Sequence, residues 1–448
     1  MLADVEPRQA VDAFLSRMGA PGTFCVAVSG GSDSTALLYL VHQWLQARGK
    51  QQLVAITIDH GLRAASDAEA QMVAAFCRTR NIRHIIKRWT GKKSGTGLQE
   101  AARLARYELL REAALSVNSN AVLTAHTRDD QLETIRMRQQ RGMGRGLSGM
   151  AGAVLFMRDC WILRPFLDVR RTTLQQILTR DGIAWSDDPS NSDRRFERVR
   201  IRLEGGDPGA DIGPLSMVER MTAARREESD RLARFLREHA IIHGDMMAEL
   251  PQVPESLSNV LQQAVALLAA LMGGRAFLPG SRSQDHIARF VSGSGPPRIN
   301  LSRSVLDRRA QSIFIYRERR AVPVMDIAAG QDAVWDGRYR FVNGYKRRSV
   351  RIGPLGDQDH FPGEPLPQHV PRGAIKRAAR SQPALFVAAD GDDKIERQPV
   401  MRASGLKSAR YFTHFDLFLP DFERKVANEC ASLFGLLPYP EPPTRSSG

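Results

Sequence analysis

The chain has 448 residues, 42% of them hydrophobic, which is too long for one typical core and predicts two or three domains. Lysine and arginine outnumber aspartate and glutamate by 64 to 49, and the net charge of +15 favours a polyanionic partner, either a nucleic acid or an acidic membrane surface. The longest apolar run, residues 264–272, is too short to cross a bilayer, and no signal peptide is read. The four cysteines are scattered, which excludes a disulfide framework. We therefore expect a cytoplasmic protein with a nucleic-acid partner and no membrane partner.

The first two hundred residues alternate short strand-like runs with longer helical periods. Strands are predicted at 23–28, 53–58, 82–86 and 121–125. Helices are predicted at 34–48, 66–80, 98–116, 129–140 and 168–181. This alternation is typical of an α/β fold with a parallel, twisted, Rossmann-like sheet covered by helices on both faces. Ligands bind beyond the carboxyl ends of such strands, so the loops after the four strands are expected to face one crevice.

The rest of the chain is predicted to form smaller units. Residues 205–214 have the glycine and proline content of a linker, and helices are predicted after them at 216–240 and 255–272. A hairpin is predicted at 299–317 and a further β-rich stretch at 333–352. We therefore expect three domains, at residues 1–205, at 206–330 (mainly helical) and at 331–448 (small and mixed α+β).

A glycine-rich loop directly follows the first predicted strand and opens a helix. It consists of Ser29, Gly30, Gly31, Ser32, Asp33 and Ser34. Such a turn aims several backbone N–H groups and a positive helix end at one point, which is a site for a phosphate. A carboxylate at Asp33 fits beside a phosphate only with a cation, so it indicates Mg²⁺. The spacing differs from the Walker pattern, and an ordinary flexible turn is the alternative.

A second polar group follows the fourth predicted strand. His126 stands at the strand exit, and Asp129, Asp130 and Glu133 stand in the first turns of the next helix. Asp130 and Glu133 are three residues apart and share a helix face. Helix capping is the alternative for acidic residues in a first turn, and it would explain Asp129 by itself. A carboxylate cluster beside a histidine at the crevice indicates a site for a cationic substrate or a metal.

Two further stretches are basic. Residues 141–150 are rich in glycine and arginine, which is typical of a flexible connector or of a loop that closes over triphosphate or RNA. Residues 194–202 carry five arginines. A solvated face is the usual role of such a run, but the density of guanidinium groups favours phosphate or RNA contacts.

Residues 59–63 could line a nucleotide crevice, although a plain turn explains them nearly as well.

The loop at 29–34 resembles the S-G-G-x-D-S signature of the PP-loop ATP pyrophosphatases, which split ATP between the α and β phosphates. Five further motifs, in order, make residues 22–202 similar to the tRNA(Ile)-lysidine synthases. They are D-H-G-L-R, A-A-R-x-A-R-Y, A-H-x-x-D-D-Q-x-E-T, R-G-x-G-x-G-L-x-G-M, and W-x-D-D-P-S-N followed by R-x-R-I-R. Thr127 departs from the family's common second histidine, and Val199 replaces its asparagine. The C-terminal half matches only loosely.

This resemblance implies ATP and Mg²⁺ as cofactors, and free L-lysine and the isoleucine tRNA with the anticodon CAU as substrates. The wobble cytidine would be adenylated, and lysine would then displace AMP to give lysidine. Residues 29–34 would bind ATP, Asp33 would bind Mg²⁺, and Arg200 would hold the α-phosphate or the anticodon backbone. The candidate catalytic residues are Asp33, His126, Asp130, Glu133 and Arg200. The helical and C-terminal regions would bind the tRNA body, and a homodimer is left open.

Three other functions are alternatives. A sulfur-inserting tRNA enzyme of the same superfamily would need a catalytic cysteine pair or cluster ligands near the crevice, and the scattered cysteines argue against it. An amidotransferase would need a glutaminase domain. A nucleotide-dependent RNA-binding module would keep the loop and the basic surface without the acidic cluster at 126–134. That cluster therefore discriminates between an enzyme and a non-catalytic RNA-binding module.

Overall fold

The computed structural model describes residues 5–19, 22–49, 51–59, 65–91, 98–140, 148–186, 200–201, 212–357, 367–388, 395–400 and 405–444. The chain separates into two compact units. The first comprises residues 1–226, 420–422 and 440–448, and the second comprises residues 227–419 and 423–439.

The first unit alternates helices and strands along the chain, as the sequence predicts. Its strands are β1 (Thr23–Ala27), β2 (Gln52–Asp59), β3 (Arg83–Arg88), β4 (Ala121–Leu123), β5 (Ala153–Phe156) and β6 (Cys160–Leu163). Its helices are α1 (Pro7–Leu15), α2 (Ser32–Arg48), α3 (Ala65–Thr79), α4 (Leu98–Leu115), α5 (Arg128–Gln140) and α6 (Arg171–Arg180). The division between the units falls within α7 (Ile212–His239).

Six strands of the first unit lie in one sheet in the order β5-β6-β4-β1-β2-β3. Neighbouring pairs in this series are parallel except β5 with β6. Cys25 of β1 lies opposite Val54 of β2 and Val122 of β4. The consecutive residues Phe24, Cys25 and Val26 are all buried, and because successive strand side chains point to opposite faces, both faces of the sheet are covered here. The predicted α/β fold with a parallel sheet is confirmed.

The antiparallel hairpin of β5 and β6 is a feature that the sequence analysis did not predict. Met157 and Arg158 turn the chain with φ values of 49° and 65°. Two consecutive left-handed residues are typical of hairpin turns that usually carry asparagine or glycine. A Met-Arg pair gives no such signal, so the turn could not be recognised from the residue types.

The second unit consists of several antiparallel sheets and five helices in the described part of the chain. Its strands are β7 (Ile241–His243), β8 (Met247–Pro251), β9 (Arg298–Leu301), β10 (Ser304–Arg308), β11 (Ser312–Arg317), β12 (Met325–Ile327), β13 (Asp332–Trp335), β14 (Tyr339–Asn343), β15 (Val350–Pro354), β16 (Pro383–Ala388), β17 (Ile395–Pro399) and β18 (Leu406–Arg410), and β19 (Phe418–Pro420) lies at its boundary. Besides the end of α7, its helices are α8 (Ser258–Met272), α9 (Ser281–Ser292), α10 (Arg372–Ala379), α11 (Thr413–Asp416) and α12 (Arg424–Leu433).

Three sheets organise these strands, in the orders β7-β8-β11-β10-β9, β12-β15-β16-β17 and β13-β14-β18. The predicted hairpin at 299–317 corresponds to β10 and β11, with β9 paired to the other edge of β10. Among the helices of the described residues, none combines the length and the apolar character that crossing a membrane requires.

The compact units of the structure do not divide at residue 330. A hydrophobic cluster joins Phe314 and Tyr316 of β11 to Val370, Ala374 and Ala378 at the start and along the length of α10. Because this cluster draws on residues from both sides of 330, a truncation at that point would open a core. The three-domain division at 1–205, 206–330 and 331–448 stays a prediction. In the structure, residues 227–419 belong to one compact unit.

A buried ion-pair network also crosses residue 330. Asp336, in the turn between β13 and β14, accepts hydrogen bonds from Nε and Nη2 of Arg317 at 3.0 Å each and from Nε of Arg338 at 2.7 Å. Arg303 makes a further ion pair with the same carboxylate. The side chains of Asp336, Arg317 and Arg338 are fully buried. Burial opposes ionisation of Asp336, but the three arginines outweigh it and hold the pKa of this carboxyl below its usual value.

We predict that Asp336→Ala destabilises the protein by about 3–5 kcal/mol, because it leaves two buried guanidinium groups without their anion. Urea denaturation followed by tryptophan fluorescence measures the loss. The matched control is Asp326→Ala, which breaks an ion pair with Arg351 whose side chains are 59% and 51% exposed. That change should leave the denaturation midpoint nearly unchanged, because an exposed ion pair contributes little to stability. Equal losses in the two variants would contradict a structural role for the network.

Candidate active site

The glycine-rich loop lies between the end of β1 at Ala27 and the start of α2 at Ser32. Gly30 has a φ of 92°, a conformation that a residue with a Cβ atom rarely adopts. Gly31 is the N-cap of α2, a helix of 17 residues. The loop therefore presents the N-terminus of a long helix at the carboxyl end of the central strand, which is the arrangement that binds a phosphate.

The loop hydroxyls are partly engaged within the loop. Ser34 Oγ accepts a hydrogen bond from the Ser29 N–H at 3.1 Å and donates one to the Gly31 carbonyl at 3.1 Å. Ser32 Oγ donates to Oδ1 of Asp33 at 3.2 Å. The sequence predicts these serines as donors to a ligand; in the structure, Ser34 holds the loop in shape and Ser32 orients the carboxylate.

Asp33 points its other oxygen at an arginine from a distant helix. Nε of Arg171 donates to Asp33 Oδ2 at 2.8 Å. Burial raises the pKa of Asp33 above its ordinary value, and the nearby carboxylate of Asp130 raises it further, against the opposing effect of Arg171. Asp33 is therefore a carboxylate whose charge is costly unless a cation lies beside it.

Arg171, the first residue of α6, joins the loop to the acidic cluster. Its Nη2 donates to Oδ1 of Asp130 at 3.4 Å while its Nε contacts Asp33. Burial lowers the pKa of Arg171, but Asp33, Asp130 and Glu133 outweigh that effect and raise it above the ordinary value. The sequence analysis missed this residue. The available signal was the cluster itself, because several carboxylates at one crevice require a counter-charge.

The helix-capping roles of Asp129 and Asp130 differ from those that the sequence suggests. Oδ2 of Asp130 accepts hydrogen bonds from the N–H and the hydroxyl of Thr127 at 2.8 and 3.0 Å, and the Asp130 N–H lies 3.4 Å from Thr127 Oγ1. This is the capping-box arrangement, with Thr127 as the first partner. Asp129 caps another helix, because its Oδ2 accepts the backbone N–H of Arg171 at 2.8 Å. Thr127 thus has a structural role at the start of α5.

His126 is held in its neutral form beside this cluster. Its Nδ1 lies 3.1 Å from Thr124 Oγ1. Burial, followed by the charge of Arg164, lowers the pKa of His126 to about 3, although Asp130 opposes the shift. Glu133 is also buried, and its charge acts on Arg171. The structure therefore brings the predicted residues Asp33, His126, Asp130 and Glu133 into one electrostatic cluster.

We predict that His126 makes stability fall as the pH drops from about 6.5 toward 3. The folded pKa of about 3 lies below the ordinary value of 6.5, so the unfolded chain binds the extra proton in that window and is favoured by acid. Replacing His126 with Gln should flatten the dependence by up to about 1.4 kcal/mol per pH unit. Urea denaturation at several pH values measures it, with the exposed His286→Gln as control. Identical pH profiles for wild type and His126→Gln would refute this assignment.

Arg200 and Asp59 are two further residues of the sequence motifs that the structure describes. Arg200 is exposed in the short described segment 200–201, and its catalytic role stays a prediction. Asp59 at the end of β2 is buried and pairs with Nε of Arg88 at 2.8 Å. The motif positions 60–63, 141–147 and 187–199, which include most of the arginine-rich stretch, lie outside the described residues.

All four cysteines are buried. Burial raises the pKa of Cys25 and Cys77 to about 11 and that of Cys160 to about 12, and it also raises the pKa of Cys430. Reactive cysteines have lowered pKa values and accessible sulfur atoms. This chain therefore offers none of the thiolates that sulfur insertion would require.

Comparisons with known proteins agree with this geometry. A family model described as a PP-loop domain matches residues 6–205. A tRNA(Ile)-lysidine synthase of Rhizobium meliloti is 35% identical over 96% of this chain and 95% of its own length. The chain belongs to the tRNA(Ile)-lysidine synthase family. A second member of the family, from Mesorhizobium japonicum, is 36% identical over 93% of both chains.

The resemblance to the tRNA(Ile)-lysidine synthase family thus extends beyond the predicted residues 22–202 to the C-terminal half of the chain. Among solved structures, a U34-tRNA thiolase of Methanococcus maripaludis superposes with a TM-score of 0.41 and 17% identity over 48% of this chain and 78% of its own. That likeness is too weak to support any argument about function.

Proposed function

We propose that this protein joins free L-lysine to C2 of the wobble cytidine of the isoleucine tRNA with the anticodon CAU, and that it cleaves ATP to AMP and pyrophosphate. One observation carries this proposal. Arg171 bridges Asp33 of the phosphate loop and Asp130 of the acidic cluster, at 2.8 and 3.4 Å. A site for a phosphate and a site for an ammonium group thus adjoin, as a reaction between an adenylate and an amine requires.

The first step of the proposed reaction adenylates the tRNA. The C2 carbonyl oxygen of the cytidine attacks the α-phosphate, and pyrophosphate leaves. The N-terminus of α2 supplies backbone N–H donors to the charge that develops there. Arg171, a partly buried cation, pairs with Asp33 of the loop, and it can exchange a carboxylate for a phosphate oxygen. The cytidine has to be unstacked to reach this point.

Mg²⁺ fits the donor set at this site. Asp33 shares the guanidinium of Arg171 with Asp130, so the charge of Asp33 is only partly offset and leaves room for a cation. Mg²⁺ is usually held by one or two carboxylates together with substrate phosphates. When bound, the ion would offset the charge on the departing pyrophosphate.

The second step transfers the amine. Lysine carries an α-ammonium and an ε-amine, and Asp130 and Glu133 have the sign to attract the former. Asp130 and Glu133 are also the candidates to take the proton that the attacking ε-amine releases. His126, neutral because of its lowered pKa, would orient the amine or stabilise charge. The ε-nitrogen bonds to C2 of the cytidine, AMP leaves, and lysidine results.

The tRNA would be bound by the basic residues of the chain. The net charge of +15 suits a polyanion, and the arginine-rich stretch at 194–202, which includes Arg200, is our candidate for contacts with the anticodon backbone. A cytoplasmic location and a homodimer stay predictions.

The proposal is tested by following AMP release with two tRNA transcripts. One carries the CAU anticodon, and the other differs only by uridine at the wobble position. We expect AMP and pyrophosphate in equal amounts with the CAU transcript and lysine, and none above background with the uridine transcript. ADP as the product, or AMP release that ignores the wobble base, would contradict the proposed reaction.

A further inference from the structure

Three potential metal ligands converge in the second unit, far in sequence from the residues of the candidate active site. They are His243 at the end of β7, Glu249 on β8 and His369 just before α10. Their ligand atoms all lie within 4.8 Å of one another. Among the described residues, this is the one group of three or more His, Cys, Asp or Glu side chains that converges in this way.

The local fold explains why these side chains meet. In the β7–β8 hairpin, Ile241 lies opposite Glu249 and His243 lies opposite Met247, so His243 and Glu249 are diagonal neighbours on one face. His369 reaches the same carboxylate from the segment that leads into α10. One carboxylate oxygen, Oε2 of Glu249, faces Nε2 of both histidines, at 2.6 Å from His243 and 3.1 Å from His369.

We propose that His243, Glu249 and His369 bind a divalent transition-metal ion, with Zn²⁺ as the best match. Two imidazoles and one carboxylate form a ligand set that zinc takes in proteins, with a fourth position for water. Zn–N and Zn–O bonds of about 2.0–2.1 Å in a tetrahedron place ligand atoms about 3.3 Å apart. The observed separations of 2.6 and 3.1 Å need only a small opening to admit the ion.

The surroundings of the ligands support this site. Ser312 Oγ donates a hydrogen bond to the other oxygen of Glu249, Oε1, at 2.5 Å, which orients the carboxylate and leaves Oε2 for a metal. The side chains of His243 and Glu249 are 5% and 6% exposed, whereas His369 is 52% exposed, so the site is built into the sheet and open on one side.

Hydrogen bonding alone is the competing explanation. It requires Nε2 of both histidines to carry a proton and to donate to one oxygen. Metal binding instead moves each ring proton to Nδ1 and replaces the two donors with one cation. The ion would tie the segment before α10 to the β7–β8 hairpin and would keep one coordination position open to solvent.

The test uses the full-length protein, freed of metal with a chelator and titrated with Zn²⁺ or Co²⁺ alone. We expect one equivalent of Zn²⁺ to bind and to raise the melting temperature, and Co²⁺ to give the absorption of a tetrahedral site. His369→Ala, at a half-exposed position, should weaken Zn²⁺ binding by about 100-fold or more. Glu249→Gln, which keeps the side-chain shape, should do the same, with circular dichroism checking its fold.

His286→Ala is the matched control, because His286 is an exposed histidine of the same unit, on α9. It should bind Zn²⁺ as the wild type does. Absence of stoichiometric Zn²⁺ binding by the wild type would overturn the proposal. So would equal weakening, or equal retention, of binding in His369→Ala and His286→Ala, because the ion would then be adventitious only.

Discussion

Replacing Asp33 with alanine is expected to lower the rate of AMP formation by about 10²-fold or more, because it removes the carboxylate that would hold a cation beside the phosphates. The melting temperature should change little. Arg171 keeps Asp130 as a partner, at 3.4 Å, so the substitution does not leave its partly buried guanidinium without an anion. Quantifying AMP release, alongside thermal unfolding of the same samples, gives both numbers.

Two further variants sharpen this test. Asp33→Asn keeps the shape and the hydrogen-bonding oxygen but not the charge, so it should be nearly as inactive as Asp33→Ala. Asp12→Ala breaks an ion pair with Arg48 in which both side chains are about half exposed, and its turnover should match that of the wild type. Near-normal turnover by Asp33→Asn would show that the negative charge of Asp33 has no role in the mechanism.

Replacing Asp130 with asparagine is expected to impair the use of lysine far more than the binding of ATP. The carboxylate has the wrong sign for a phosphate and the right sign for an ammonium. Asparagine keeps an oxygen that can accept the Thr127 N–H, which Asp130 accepts at 2.8 Å, so the helix cap survives. We expect the Michaelis constant for lysine to rise, or turnover with lysine to collapse, by about 10²-fold or more. Steady-state kinetics with each substrate varied in turn measures both effects.

The alanine variant separates catalysis from capping. Asp130→Ala loses the capping box as well as the charge, so it should cost about 1 kcal/mol of stability that Asp130→Asn retains. Both variants should share the defect with lysine. Unchanged lysine kinetics together with weaker ATP binding would assign the cluster to the nucleotide or its metal.

The sheet and the phosphate loop could be predicted from the sequence because they rest on local signals. β1 is an apolar run that ends at Ala27, and the two glycines that follow mark the turn into α2. The α/β class follows from repeated alternation along the chain, which no single misjudged residue can overturn. The chemistry of His126 and Asp130 could be located because both follow a strand at the carboxyl edge of the sheet.

The remaining features depend on partners that are distant in sequence. Arg171 is 138 residues from Asp33, and nothing in an Arg-Arg pair at a helix start indicates which anion it will meet. The capping roles of Asp129 and Asp130 could not be separated, because one of them serves α6 instead of its own helix. The second unit is held by clusters that join residues on both sides of 330, such as Tyr316 and Ala374, so its extent could not be read from composition.

Transfer of labelled lysine to tRNA tests the central claim most directly. The protein is incubated with bulk bacterial tRNA, ATP and radiolabelled lysine, and the labelled nucleoside is identified after digestion of the tRNA. The account predicts ATP-dependent label in the isoleucine tRNA with the CAU anticodon, located at the wobble cytidine and recovered as lysidine, with one AMP released per lysine. Absence of label from that tRNA, under conditions in which the protein is folded and binds ATP, would contradict the account.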